Sequence, residues 1–264
     1  MLTAVKKELR ICLLSVKYNI MREMLNKVSF LTNVLFMMFN NATFIIQWII
    51  LFRLKEDIGG YTMREVMLLW GLCSSSYGVS HILFARVFSL HEVIINGKLD
   101  AYLVLPKNVL LSVLTSSTST SAIGDALYGL LLLFVFCFSI ERFFLFLLFS
   151  ITGAVIITAF ALLMGSLSFW FVRADMFGKN MVNSMVGFST YPDGIFKGGT
   201  RFLLYLVIPV GMSIYQPVHI MLNFDAGRFL TVCGYTFLLT AAAVFVFYRG
   251  LRRYASGNLM EAKM

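Results

Sequence analysis

Long stretches of the chain carry no charged residue. Residues 28–52 are charge-free for 25 positions, 143–172 for 30 and 202–224 for 23. Shorter runs occupy 66–85 and 229–248, and a run at 109–140 is interrupted only by Asp125. A bilayer core is about 30 Å thick, and a helix that crosses it needs roughly 20 apolar residues. The runs are continuous and lack the period-two alternation of barrel strands. They predict helices, which satisfy their own backbone polar groups in lipid. The expected architecture is one all-α integral membrane domain over 1–264 with six transmembrane helices. The spans are expected at 28–52, 66–90, 109–140, 143–172, 175–191 and 229–248.

The stretch 173–228 admits two readings. Either 202–224 spans, or the more polar helix at 175–191 spans and 192–223 dips back as a re-entrant hairpin. Both cannot cross, because seven spans would carry the Arg249, Arg252 and Arg253 tail to the other side. Pro209 and Pro217 interrupt the apolar run, and proline disrupts a helix interior. Gly198 and Gly199 separate it from what precedes. Broken helices are tolerated at membrane depth where protein covers them, so the re-entrant reading is favoured.

Before the first run, Val5, Leu9, Cys12, Leu13, Val16 and Ile20 recur at helical spacing, with Lys6, Lys7, Arg10 and Lys17 on an adjoining face. This predicts a helix over 1–27 lying in the membrane interface rather than a cleavable leader, which would need its own apolar core and a small-residue cleavage site. Lys/Arg bias then sets orientation. With the N-terminus inside, the inside segments (1–27, 86–108, 173–179, 249–264) hold 15 basic against six acidic residues. The outside segments (53–65, 141–142, 193–201, 225–228) hold seven against six. Both termini are expected on the cytoplasmic side.

Composition agrees with a lipid-facing surface: 59% of residues are apolar and 13% charged, against about 25% charged in soluble domains. The net charge of +9 is spread over the ends of apolar runs, where anionic headgroups meet it, so a nucleic-acid partner is not expected. Cys12, Cys73, Cys137 and Cys233 are isolated and read as packing residues; no metal-ligand spacing occurs. GxxxxGK[ST] is absent, since Glu92 stands where Gly97-Lys98 would need its first glycine and Leu99 replaces Ser/Thr. GxSxG and HExxH are absent too, so no enzyme activity is expected of this chain alone.

The longest inside loop, 91–107, mixes charges with Leu99, Leu103 and Pro106. Leu99 and Leu103 are i, i+4 neighbours, which would form one apolar ridge on a short helix. Such a helix could lie on the membrane or dock into a groove of a soluble partner.

The run Gly97-Lys98-Leu99-Asp100-x-x-Leu103-x-x-Pro106 resembles the G-K-L-D-x-x-L-x-x-P signature of a branch of the ABC-2 type permeases, the membrane subunits of bacterial ABC transporters. A second similarity lies at Tyr191-Pro192, Ile195-Phe196, Arg201, Ile208-Pro209 and Tyr215-x-Pro217, and the hydropathy layout matches nearly end to end. The polar stretch 112–121 departs from that pattern. The resemblance implies a type V exporter-like fold, with 1–27 as the interface helix and 91–106 as the coupling helix that contacts a separate ATPase subunit. It places a re-entrant hairpin carrying Tyr191, Pro192, Pro209 and Pro217 before the last span. It implies two ATPase chains, which bind ATP and Mg, and a second permease chain, identical or paralogous. No cofactor is expected in this chain. The substrate would be a lipid, peptide or drug-like molecule, exported across a bacterial cytoplasmic membrane. The other reading of the same helices is a channel or scaffold with no energy source.

Polar residues inside the runs are the remaining candidates. Asp125 either pairs with a neighbour such as Arg86 or serves as a pathway charge. Asn33, Asn40, Asn41 and Gln47 make the first span polar; Asn33, Asn40 and Gln47 recur every seven residues and so share a face. They either bond between helices or line a substrate path or dimer seam. The Ser/Thr run at 112–121 is expected to satisfy itself against the backbone.

Overall fold

The structure, a computed structural model, describes residues 2–171 and 174–255, without the side chains of 2–5, 9, 174 and 175. Val5 and Leu9 of the expected apolar stripe, Arg173, and the tail 256–264 therefore lie outside the described side chains. In chain order the α-helices are α1 (Leu2–Glu23), α2 (Lys27–Leu54), α3 (Met63–Phe84), α4 (Leu90–Ile95), α5 (Asp100–Leu103) and α6 (Val109–Leu114). They continue with α7 (Ser121–Phe136), α8 (Ile140–Ser166), α9 (Ala174–Ser189), α10 (Gly198–Leu206), α11 (Gln216–Leu222) and α12 (Ala226–Leu251). Among the described residues the sole β pairing is an isolated bridge between Ile58 and Tyr61.

Helix ends follow local chemistry. Asn26, Asn108, Ser139 and Asp225 each accept a backbone N–H three residues on, capping α2, α6, α8 and α12, which satisfies a donor left free by helix geometry. Thr62 and Glu65 form a capping box at the start of α3, a reciprocal arrangement of two otherwise orphaned groups.

Four helices among the described residues are long and apolar enough to cross a bilayer: α2, α8, α12, and α3 taken with the turns and α4 that extend it to Ile95. A fifth is reached if α10 and the Gly211–Leu222 limb are one span bent by 77°. Helix α7 is apolar but only 16 residues long.

The continuous span expected over 109–140 is not formed. Its first part is the short α6, and α7 begins only at Ser121. The break coincides with a run of hydroxyl residues. Thr115 Oγ1 donates to Leu111 O (2.8 Å) and Ser116 Oγ to Val113 O (2.9 Å), while Ser119 N–H donates across to His81 O (3.0 Å). Side chains that bond the local backbone compete with helix continuation.

Helix α3 is the central rod. It packs between α7 and α8; α2 lies on the outer side of α7, and α12 and α9 lie on α8. Residues Val66 to Ser76 of α3 are buried without interruption. The α3–α7 contact is made of small residues. A Cβ on Gly129 would collide with Gly71 O and Ser75 Oγ, and one on Gly78 with the backbone of Ala122 and Ala126. Ser74 Oγ donates to Asp125 O (2.8 Å) and Ser75 Oγ to Ala126 O (3.1 Å). Inside lipid, close backbone approach and interhelical hydrogen bonds replace hydrophobic driving force.

Two buried clusters result. The larger surrounds Trp48, Leu68, Phe146, Phe149, Ile214 and Tyr215. The smaller gathers Val87, Leu90, Val93, Leu99, Leu110, Val113 and Phe247 at the end that holds the 91–107 loop. Gly129→Val should lower folded stability by about 1–3 kcal/mol through overpacking, whereas Gly234→Val, whose Cβ meets nothing within 4 Å, should not. Thermal unfolding in detergent checks both.

Candidate functional site

The 91–107 loop begins with a backbone reversal. Gly97 has φ +66, a conformation glycine adopts without a steric cost. Its N–H donates to Ile94 O (3.3 Å), and Leu99 N–H donates to Val93 O (3.2 Å). The reversal drops Leu99 into the smaller cluster, where it is 0% exposed. The expected Leu99–Leu103 ridge is therefore not presented to a partner. Helix α5 is one turn long and Leu99 is its buried N-cap, so only Leu103 of the two leucines is open to a partner. What the loop does present is its tip: Leu103 is 43% exposed, Val104 82% and Leu105 40%. Pro106 is exposed beside them, and Lys98 and Lys107 flank the tip. Tyr102 OH donates to Ser116 Oγ (3.1 Å), tying the tip to the break before α7. Asp100 opens α5, where a carboxylate favours the helix N-terminus. Val104 and Leu105 were not singled out from the sequence, because spacing identifies shared faces and not which face is open.

The polar residues of α2 divide into two sets. Asn41 is buried and its Nδ2 donates to Asp125 Oδ1 at 2.6 Å, while Tyr128 OH donates to Asn41 O (3.1 Å). Asp125 is thus held by Asn41 and not by Arg86, whose Nε donates to Ser116 Oγ (3.3 Å). With Asp125 4% exposed, its carboxylate fastens α2 to α7. Hydrogen bonds to charged groups contribute about 1.5–3 kcal/mol net. Asn33, Asn40 and Gln47 instead lie exposed on the outer face of α2, with Phe36 and Phe39 beside them. Helix α9 repeats the pattern, with Asn180, Asn183 and Gly187 exposed. The polarity of that helix was visible in the sequence, but its match to the α2 face was not. Trp48 of α2 and Tyr191, just after α9, meet edge to face, centroids 6.1 Å apart.

The 192–223 segment is folded around one carboxylate. Asp193 is 3% exposed. Its Oδ1 accepts from Tyr61 OH (2.8 Å), and its Oδ2 accepts from Arg201 Nη2 and Tyr205 OH (both 3.2 Å). His219 Nε2 stands 3.5 Å from Oδ1 and 3.2 Å from Tyr61 OH. Burial would raise the pKa of Asp193, but the hydrogen bonds from His219 and Tyr61 and the charges of His219 and Arg201 outweigh it and hold the carboxyl below its usual range. Burial and the Asp193 charge push the Tyr61 phenol above its usual value. The 55–62 loop, the turn at 193–195, α10 and α11 converge here. Gly194 sits so close to Gly59 O that a Cβ would overlap it. Pro209 lies in the break between the limbs, and Pro217 in the first turn of α11; both are buried, as is Pro192. Asp193 was missed as a centre because Tyr61 and His219 are distant in sequence; the local signals were an acid beside Tyr191-Pro192 and Arg201 eight residues on.

Among the described residues no three His, Cys, Asp or Glu side chains come together to hold a metal ion. A family model described as "ABC-2 family transporter protein" matches residues 35–257. No curated protein and no solved structure matches the chain.

A carboxyl with a lowered pKa stabilises the fold above the ordinary aspartate range and loses that contribution as the pH falls through its folded value. The difference in melting temperature between wild type and Asp193→Asn should therefore be open at neutral pH and narrow as the pH falls below the ordinary aspartate range. Thermal melts across that range check it.

Proposed function

This chain belongs to the ABC-2 family of transporter proteins and is a multi-pass membrane permease; from that premise we propose that it is driven by a separate ATPase that grips the tip of the 91–107 loop. The observation that carries the reading is the exposed Leu103–Pro106 knob, flanked by Lys98 and Lys107, on a loop rooted in the fold by Leu99. An apolar projection of this size suits a groove on a soluble partner. The root matters as much as the knob. A displacement of the tip reaches α4, α6, α8 and α12 through one packed cluster, and packed elements move as units rather than deforming continuously.

The partner pair holds ATP and Mg, and this chain supplies the path. Nucleotide binding shifts the permease between its two states only through contacts that differ between them. The working unit contains two ATPase chains and two permease chains, the second identical or paralogous. The exposed polar faces of α2 (Asn33, Asn40, Gln47) and α9 (Asn180, Asn183) meet the second chain and border the route of the substrate, a lipid, peptide or drug-like molecule leaving the cell. Polar groups on an open helix face are costly against hydrocarbon, which supports protein or water as their neighbour. Residues 192–223 form the outer re-entrant hairpin, and both termini face the cytoplasm across a bacterial cytoplasmic membrane.

Val104→Asp or Leu103→Asp should weaken ATPase binding by about 2 kcal/mol, roughly thirtyfold, and abolish transport while leaving membrane insertion and elution profile intact. Leu99→Asp should instead reduce folded yield, since it buries an unpaired charge. The assay is copurification of a soluble subunit carrying GxxxxGK[ST], followed by transport in vesicles. Unchanged binding and transport in the tip variants would overturn the coupling role. At the seam, Asn40→Cys should cross-link to the second permease chain under mild oxidation, and Phe245→Cys, exposed on α12, should not.

A further inference from the structure

Between α1 and the segment that follows the 91–107 loop lies a cavity of about 450 Å³, within the roughly 300–1,000 Å³ of ordinary ligand sites. It draws on the one stretch that the family resemblance left unexplained, since Ser112, Thr115 and Ser116 line it. Asn19 Nδ2 donates to Thr115 O (3.1 Å) and joins the two walls. Ser112 Oγ, also in the lining, is shielded from solvent and has no hydrogen-bond partner among the described residues. A buried hydroxyl in that condition is costly unless something satisfies it.

The charges in the lining are one acid and one base, Glu8 from α1 and Lys107 from beside the loop tip. Neither forms an ion pair among the described residues. A lining with one acid and one base that do not pair with each other does not suit a purely anionic group. It suits a zwitterion: a phosphate toward Lys107 and an ammonium toward Glu8. Carboxylate recognition of an ammonium is strongest when the ammonium carries N–H donors, which favours a primary amine over a quaternary one. The rest of the lining includes Ile11, Leu14, Leu105 and Leu111, an apolar exit for chains attached to the headgroup. The source of such a molecule is at hand, because α1 exposes Leu13 (61%) and Tyr18 (63%), as a helix in a membrane interface does.

We propose that this cavity binds an aminophospholipid from the leaflet on which α1 lies, its phosphate on Lys107 and its ammonium on Glu8. The bound lipid bridges α1 to the loop that carries the exposed tip. The inference rests on α1 being an interface helix, and that premise is measured separately.

Native mass spectrometry of the full chain, stripped in detergent and given defined lipids, tests the site. Wild type should retain phosphatidylethanolamine about tenfold better than phosphatidylglycerol or phosphatidylcholine. Lys107→Ala should lose retention of the lipid, and Glu8→Gln should lose the preference for the primary amine while still retaining lipid. Ser112→Leu, which fills the cavity without altering charge, should reduce retention and guards against a nonspecific charge effect. Equal retention in all variants, a preference for phosphatidylglycerol, or full displacement by soluble phosphoethanolamine would overturn the proposal. Quenching of a bimane at Leu13→Cys by brominated lipid reports the interface position alone. If quenching is absent the premise fails; if quenching is present and headgroup retention is unselective, only the site fails.

Discussion

The backbones of α3 and α7 touch. Where Gly71 faces Gly129 and Gly78 faces Ala122 and Ala126, no side chain stands between the helices, and Ser74 and Ser75 bond directly to carbonyls of α7. In a membrane this contact cannot be replaced by a larger apolar pair, because lipid offers the same apolar surroundings to either partner. Shape and hydrogen bonds must do the joining. Everything else is placed from that seam. Helix α2 reaches the bundle through Asn41 and Asp125, and Asp125 sits where it does because α7 is held against α3. Helix α8 closes the other side of α3, and α12 and α9 are positioned by α8.

Two breaks in regular structure lie toward the ends of this bundle, and both are buried in polar or close-packed surroundings. At one end, the Ser/Thr stretch before α7 turns the chain and ties it to α1, α3 and the 91–107 loop. At the other, Asp193 gathers Tyr61, Arg201, Tyr205 and His219 around a single carboxylate. The buried polar groups and the exposed ones differ in kind. Asn41, Asp125 and Asp193 have partners within the chain and act as fasteners. Asn33, Asn40 and Gln47 face outward from a helix that touches the bundle on one side only, which makes them surface chemistry rather than cohesion.

Much of the architecture could be read from residue types alone, because exclusion of charge from hydrocarbon acts on each residue independently of its neighbours. The apolar runs at 28–52, 143–172 and 229–248 therefore fall within or across α2, α8 and α12. The run at 109–140 was equally apolar in outline, yet it breaks. Whether a hydroxyl bonds the backbone or leaves the helix intact depends on what waits across the gap, here His81 O and Asn19. Asp125 and Asn41 are 84 residues apart, so no local pattern marks them as a pair, and Arg86 was the nearer guess. The seven-residue recurrence of Asn33, Asn40 and Gln47 does identify a shared face, but Asn41, one residue off that period, points the other way. At the loop, i, i+4 spacing does join Leu99 to Leu103 on one turn, but the Gly97 reversal buries Leu99 and leaves only Leu103 open.

The division of labour between Leu99 and the residues just beyond it bears on how such proteins diversify. The inward leucine is matched to Val93, Leu110, Val113 and Phe247, so changing it alone disturbs folding. The outward residues Leu103 and Val104 are exposed and are freer to drift. On the coupling role proposed above, a lineage can alter which motor it accepts through a handful of surface changes, with the foundation untouched. A loop transplanted between distant relatives, by contrast, must bring its receiving pocket along, or the graft will have a handle with no socket beneath it.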